Sequence, residues 1–312
     1  MTTRYPQTIL VACPVPWDES EEVIEPLFRE SIRRVLADGY RDVYVFGTGG
    51  EGYAVDTRRF RQVLGIFREE TTADDIRPMV GVIGMSSQAI IERIGYAHEV
   101  GFRTFQISFP AWGALLDDEV DRFFADVCGR FPDSSFLHYN LPRTKRLIGG
   151  QDYARILRSV PNLVATKATD GGVAGARDLL VHAPELQHFL SEFDLPHGSM
   201  FGECSLLASF AQLAPIRIRE LFDACRLRDE PAMLRLQHEF YAMNAGLWEQ
   251  TVAGPHMDGA YDKMLVKLGL LSDYPLRLLS PYRGFPDDDF RACRTYLYER
   301  YPEWLRPGIK GS

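Results

Sequence analysis

The chain has 312 residues, is 46% hydrophobic and 25% charged, and carries a formal net charge of −8. That apolar content can fill a large core, and an acidic chain without basic runs argues against non-specific nucleic-acid binding. Five widely spaced cysteines, odd in number and without a CxxC pair, argue against a disulfide framework or a cysteine-based zinc site and for reduced thiols in a cytoplasmic protein. The N-terminal apolar run is short and ends at prolines, so it does not read as a signal peptide. No stretch approaches the roughly 20 apolar residues of a membrane span.

In chain order, short β-branched apolar runs predict strands at Thr8–Pro14, Asp42–Gly47, Met79–Gly84, Thr104–Phe109, Ser135–Asn140, Leu163–Lys167, Leu186–Leu190 and Leu206–Phe210. Helical spacing predicts helices over Glu21–Asp38, Thr57–Glu70, Ser87–Val100, Asp118–Phe131 and Gln151–Val160. The segment DLPHGSMFGECS after the seventh strand is a poor helix by its glycines and proline. The remainder is helical again over Ile216–Gln250, Gly259–Leu270 and Asp288–Tyr301. Alternation of strand and helix demands a parallel sheet, and eight such units match a closed (β/α)8 TIM barrel. The expected organisation is one domain over 1–312, with the barrel at about 8–230 and a C-terminal helical extension at about 231–312.

Three motifs fall at strand ends, where barrel active sites form. Gly47-Thr48-Gly49-Gly50-Glu51-Gly52 formally spells a dinucleotide fingerprint. Its last glycine does not open a helix, and no acidic residue ends the next strand, so the alternative is a tight loop whose N–H groups cradle a carboxylate. Tyr139 closes the fifth strand, facing opposite to His138, and its phenol can relay protons. Lys167 ends the sixth strand, and alternation puts Leu163, Ala165 and Lys167 on one face. If that face lines the barrel, desolvation lowers the amine's pKa and frees it to attack a carbonyl. A lysine that snorkels from the rim into water is the competing reading. His182, Glu185 and His188 lack zinc-site spacing, and no metal or cofactor is expected.

GTGGE at 47–51, YNLP at 139–142 and the lysine of ATKAT at 165–169 occur in an order and spacing that resemble the dihydrodipicolinate synthase / N-acetylneuraminate lyase family, from about Thr8 to Leu297. The resemblance implies that Lys167 forms a Schiff base with pyruvate or a related 2-oxo acid and that Tyr139, poised by Thr48, moves protons. It implies that Thr48, Gly49 and Gly50 bind the carboxylate and that Arg143 lies near an arginine used for a second carboxylate. Glu192 and Leu207 complete the expected substrate-binding set, and a homo-oligomer, dimer or tetramer, is implied, with Trp112 at the dimer contact. The chain departs from the family where Gly49 replaces a hydroxyl residue, where Phe109-Pro110-Ala111-Trp112 lacks a tyrosine, and at Ser191-Glu192-Phe193-Asp194 and Ser205, where glycine is common. These departures point away from dihydrodipicolinate synthase itself and to Glu192 as a specificity residue for a less acidic or amine-bearing substrate. Dehydration of a 2-keto-3-deoxy sugar acid and non-catalytic binding of a 2-oxo acid are the other readings.

Overall fold

Eight short parallel strands pair in sequence order, and the first pairs with the last, closing a barrel. The computed structural model describes residues 4–168, 171–252 and 254–306. The strands are β1 (Ile9–Ala12), β2 (Asp42–Val45), β3 (Arg77–Gly81), β4 (Thr104–Ile107), β5 (Ser135–Asn140), β6 (Leu163–Ala168), β7 (Gln187–Leu190) and β8 (Ser205–Ala208). Between them run α1 (Glu25–Ala37), α2 (Thr57–Glu70), α3 (Ser87–Glu99), α4 (Asp117–Cys128), α5 (Gly150–Ile156), α6 (Gly172–His182) and the five-residue α7 (Leu195–Ser199). The chain continues into α8 (Pro215–Leu227), α9 (Glu230–Trp248), α10 (Asp258–Gly269) and α11 (Asp287–Arg300).

Local chemistry accounts for the helix starts. The side chains of Asp56, Ser86 and Asp229 accept hydrogen bonds from the backbone N–H groups of Arg59, Ala89 and Ala232, capping α2, α3 and α9. The first helix begins four residues later than its periodicity predicts, because Trp17 and Val23 form an isolated bridge ahead of it. The segment after β7 does turn once as α7, with Pro196 tolerated in its first turn.

Two apolar layers result. Leu10, Ala12, Tyr44, Met79, Leu137, Ala165, Phe189 and Leu207 fill the barrel interior, while Val11, Val43, Val45, Phe105 and Phe136 face the helices. The five cysteines are free and buried. The interior is closed at the strands' N-terminal end. There Tyr5 packs edge-on to Phe189 and donates a hydrogen bond from its hydroxyl to Asp42, which also pairs with Arg77.

One expected alternation fails. Leu163 belongs to the outer layer, and Val164 joins the interior with Ala165. The pairing of β5 with β6 shifts register here, Phe136 facing Leu163 and Leu137 facing Ala165. The extra residue resets the alternation, and from Ala165 onward the phase places Lys167 inside, directly opposite Tyr139.

The C-terminal helices are tied to the barrel by a fully buried ion pair. Lys263 Nζ of α10 meets Glu51 Oε1 at 2.5 Å, with both side chains 0% exposed. Glu51 also accepts from Trp17 Nε1 (2.8 Å) and from the backbone N–H of Leu279 (2.6 Å), and Lys263 donates to the carbonyl of Arg277. Burial pulls the lysine's pKa down, and the facing carboxylate opposes it. Removing one partner would leave the other charge unpaired in a dry site. Lys263→Met is therefore expected to destabilise the protein by about 3–5 kcal/mol, read as a large fall in the denaturant midpoint; an unchanged midpoint would refute the assignment.

Candidate functional site

The strand ends open onto a cavity of about 400 Å³. Its wall takes Tyr44 from β2, Thr48 and Gly49 from the loop that follows, Tyr139 from β5 and Lys167 from β6. Glu192, Leu207 and Ser209 come from the ends of β7 and β8. The far wall belongs to the C-terminal helices, with Asn244 and Trp248 from α9 and Asp258, Tyr261, Asp262 and Leu265 from α10. A separate hollow lined by Asn140, Ile148, Gly149 and Asp178 contains neither Lys167 nor Tyr139.

The loop after β2 is coiled tightly. Phe46 and Glu51 both take left-handed backbone angles, φ 63° and 58°, which cost energy for side-chain-bearing residues. The Glu51 contacts described above hold that conformation in place. A Cβ on Gly50 would come within 2.6 Å of the Phe46 backbone nitrogen, so Gly50 is needed for the loop to fold back on its strand. It does not line the cavity, whereas Thr48 and Gly49 do. The Thr48 hydroxyl is buried and has no hydrogen-bond partner.

Lys167 is 5% exposed, so it does not snorkel into water. Its Nζ lies 3.8 Å from the centre of the Tyr139 ring. The expected depression of its pKa is not what this surrounding produces. Burial does push the ammonium down, but Tyr139, Tyr44 and the carboxylate of Asp262 outweigh it and hold the amine above its ordinary value. The Tyr44 phenol, chiefly through burial, is pushed up to about 12. His138, on the opposite face of β5, donates or accepts at Tyr153 Oη (2.7 Å) between the barrel and its helices, and burial lowers it to about 3.

Among the other expected site residues, Leu207 lies on the cavity wall. Glu192 lies there too, but its carboxylate is engaged: Oε1 accepts from the backbone N–H groups of Ser209 (2.7 Å) and Phe210 (2.9 Å). Burial raises its pKa, and those two donors pull the other way. Arg143 does not line the cavity; it makes a two-pronged pair with Asp258 (2.7 and 2.9 Å), half exposed to solvent. The last threonine of ATKAT, Thr169, lies outside the described residues.

Sequence reasoning missed Tyr44, Asp262, Tyr261 and Trp248. On a predicted amphipathic helix, Asp258 and Asp262 look like a solvated face. The available signal was the missing side chain at Gly49, into whose space Asp262 projects. Among the described residues, no group of three or more His, Cys, Asp or Glu side chains is arranged to hold a metal ion. Nor is any described helix long and apolar enough to cross a membrane.

Comparison with known proteins agrees with this architecture. The chain is 20% identical over 270 residues to 4-hydroxy-tetrahydrodipicolinate synthase of Helicobacter pylori, covering 82% of this chain and 90% of that one. It is 21% identical over 238 residues to the enzyme of the same name from Methanopyrus kandleri, covering 75% and 78%. Among solved structures it superimposes on YagE, a prophage protein of E. coli K12 crystallised with pyruvate, with a TM-score of 0.83 at 15% identity, covering 94% and 98%. It superimposes on N-acetylneuraminate lyase from Fusobacterium nucleatum with a TM-score of 0.81 at 16% identity, covering 96% and 97%. The sequence signature of the Dihydrodipicolinate synthetase family matches residues 5–258, and the chain is a member of that family.

Proposed function

We propose that the chain is a lyase or aldolase that binds pyruvate or a related 2-oxo acid as a Schiff base on Lys167. The observation that carries this reading is the buried amine at the barrel mouth, opposite Tyr139 and open to a cavity. Family membership and the pyruvate bound to YagE support it.

In this mechanism the resting ammonium gives a proton to the ketone oxygen through Tyr139, and the neutral amine attacks C2. The carbinolamine loses water, leaving an iminium. An ammonium and a ketone become an iminium and water, with no proton left over. The iminium then accepts the electron pair released when a C3–H or C3–C4 bond breaks, giving an enamine. The Thr48–Gly49 edge of the loop, where the Thr48 hydroxyl is unpartnered, holds the carboxylate.

The chemistry on the far side of the cavity is not suited to a second carboxylate. Its described charged side chains apart from Lys167 are Asp258, Asp262 and Glu192, and Arg143 is tied to Asp258 away from the wall. This favours an uncharged hydroxylated or amine-bearing partner and argues against dihydrodipicolinate synthase itself. Glu192 shapes that preference by fixing the Ser209–Phe210 backbone. The same iminium serves dehydration of a 2-keto-3-deoxy sugar acid, which the acidic, hydroxyl-bearing wall also suits; water loss without pyruvate release distinguishes it.

Borohydride reduction with pyruvate and a panel of longer 2-oxo acids should leave a covalent adduct that peptide mapping places on Lys167 and that Lys167→Ala abolishes. Absence of any adduct across the panel, with the protein folded, would refute the imine. Tyr139→Phe should slow turnover by about 10²–10⁴-fold on whichever substrate is active, while leaving the borohydride adduct obtainable. Trp112 is 82% exposed and Leu116 66% exposed in the segment after β4, and we place a contact between copies of the chain there. Light scattering should report an oligomer that Trp112→Glu weakens; a monomeric wild type would rule this out.

A further inference from the structure

Gly49 and Asp262 are 213 positions apart in the chain and compete for one space. A Cβ on Gly49 would lie 1.8 Å from Oδ2 of Asp262 and 2.9 Å from its Cγ. The loop therefore has no side chain at this point because α10 supplies a carboxyl there. Both residues line the cavity with Lys167. Beside them the Thr48 hydroxyl is buried and unpartnered, a polar atom that a ligand oxygen would satisfy.

This inference rests on the 2-oxo acid reading above. The ligand's carboxylate is one bond from the carbon that Lys167 attacks, so it enters close to the amine, and the unpartnered Thr48 hydroxyl draws it toward the loop. Asp262 already stands there. Two carboxylates sharing a desolvated site do not both stay ionised; one takes up a proton. We propose that Asp262 is the hydrogen-bond donor to the ligand's carboxylate, acting in its protonated form from the space that Gly49 leaves open, so that a 2-oxo acid binds together with one proton.

The surroundings of Asp262 suit this role. Burial pushes its carboxyl up to about 7, with Asp258 and Glu192 adding to the rise and Lys167 and the Ser209 hydroxyl opposing it. The groups that face it are Lys167 on β6, Tyr44 on β2, Glu192 after β7, Ser209 after β8 and Asp258 one turn earlier on α10. Lys167 is held above the ordinary lysine value and Tyr44 at about 12, so neither titrates between pH 6 and 9. Because imine formation itself neither takes up nor releases a proton, net uptake in that range reports a carboxyl. Asp262 is mostly ionised at pH 8 and mostly protonated at pH 6. Uptake is therefore large at the higher pH and small at the lower.

The test is calorimetric titration of the full-length protein with pyruvate, without a second substrate, in pairs of buffers of different ionisation enthalpy. At pH 8 the wild type should take up close to one proton per pyruvate bound, and its affinity should fall about tenfold per pH unit above 7. Asp262→Asn, a donor at every pH, should take up none and bind with a pH-independent affinity. Since Asp262→Asn could misfold, Gly49→Ser/Asp262→Ala provides a second arm. There the hydroxyl returns to the loop, and affinity should be flat with pH and higher than in Asp262→Ala alone. Uptake that persists in Asp262→Asn, or a pH-independent wild type, would overturn the proposal. Borohydride trapping on the same samples separates the two ideas: an adduct without proton uptake overturns this inference alone, whereas no adduct with any 2-oxo acid overturns the imine reading beneath it.

Discussion

The ion pair between Glu51 and Lys263 is the constraint on which the site depends. The loop after β2 carries two side-chain-bearing residues in left-handed backbone conformations, and a free loop would relax out of them. Glu51 is one of the two, and its carboxylate is held by an indole N–H, an ammonium and a backbone N–H. The same bond fixes α10 against the barrel mouth. Because Asp262 precedes Lys263 in the chain, anchoring one aims the other. A single buried contact thus sets the position of Thr48, Gly49 and the acidic wall together. A buried pair of this kind is weak evidence for net stability; its value here is the geometry it imposes on the loop and on α10.

The mouth of the barrel is electrostatically lopsided. Lys167 is surrounded by two phenols and a carboxyl, and these groups more than offset the cost of burying its charge. These groups favour the ammonium, so the proposed imine chemistry would draw the amine's proton away through Tyr139. Charge compensation is shared between the barrel and the C-terminal helices, so the extension is part of the surroundings of Lys167.

Much of this was legible in the sequence. All eight strands and the closed parallel order follow from periodicity and alternation, because strands buried on both faces leave strong apolar runs. Lys167 and Tyr139 could be singled out because strand ends are short-range features, whereas Thr48 was named through the family resemblance. The misses have physical causes of another kind. Asp262 and Tyr261 reach the site only through tertiary packing of a helix far along the chain. Gly50 looked like part of a ligand loop, but its neighbours show it, with Glu51, supporting the loop's shape. The sign of the Lys167 shift could not be foreseen, since position predicts burial and not which hydroxyls and carboxyls share the burial. Arg143 was read from its place after Pro142, and its partner Asp258 lies 115 residues away.

The register shift between β5 and β6 has a consequence for what sequence change this barrel can absorb. Lys167 points inward because the alternation restarts at the bulge, so the direction of the amine is set by a count of residues and not by the residues themselves. Were all the residues kept but paired regularly from Leu163, without the bulge, the lysine would swing into the helical layer and Thr166 would enter the lumen, with every side chain chemically unchanged. Substitutions along this strand are thus tolerated within the limits of packing, but its length is not free to drift. In this family member the bulge acts as a phase lock: loss of Val164 alone would leave the amine inward, whereas one residue gained or lost between Ala165 and Lys167 would turn it toward the helices.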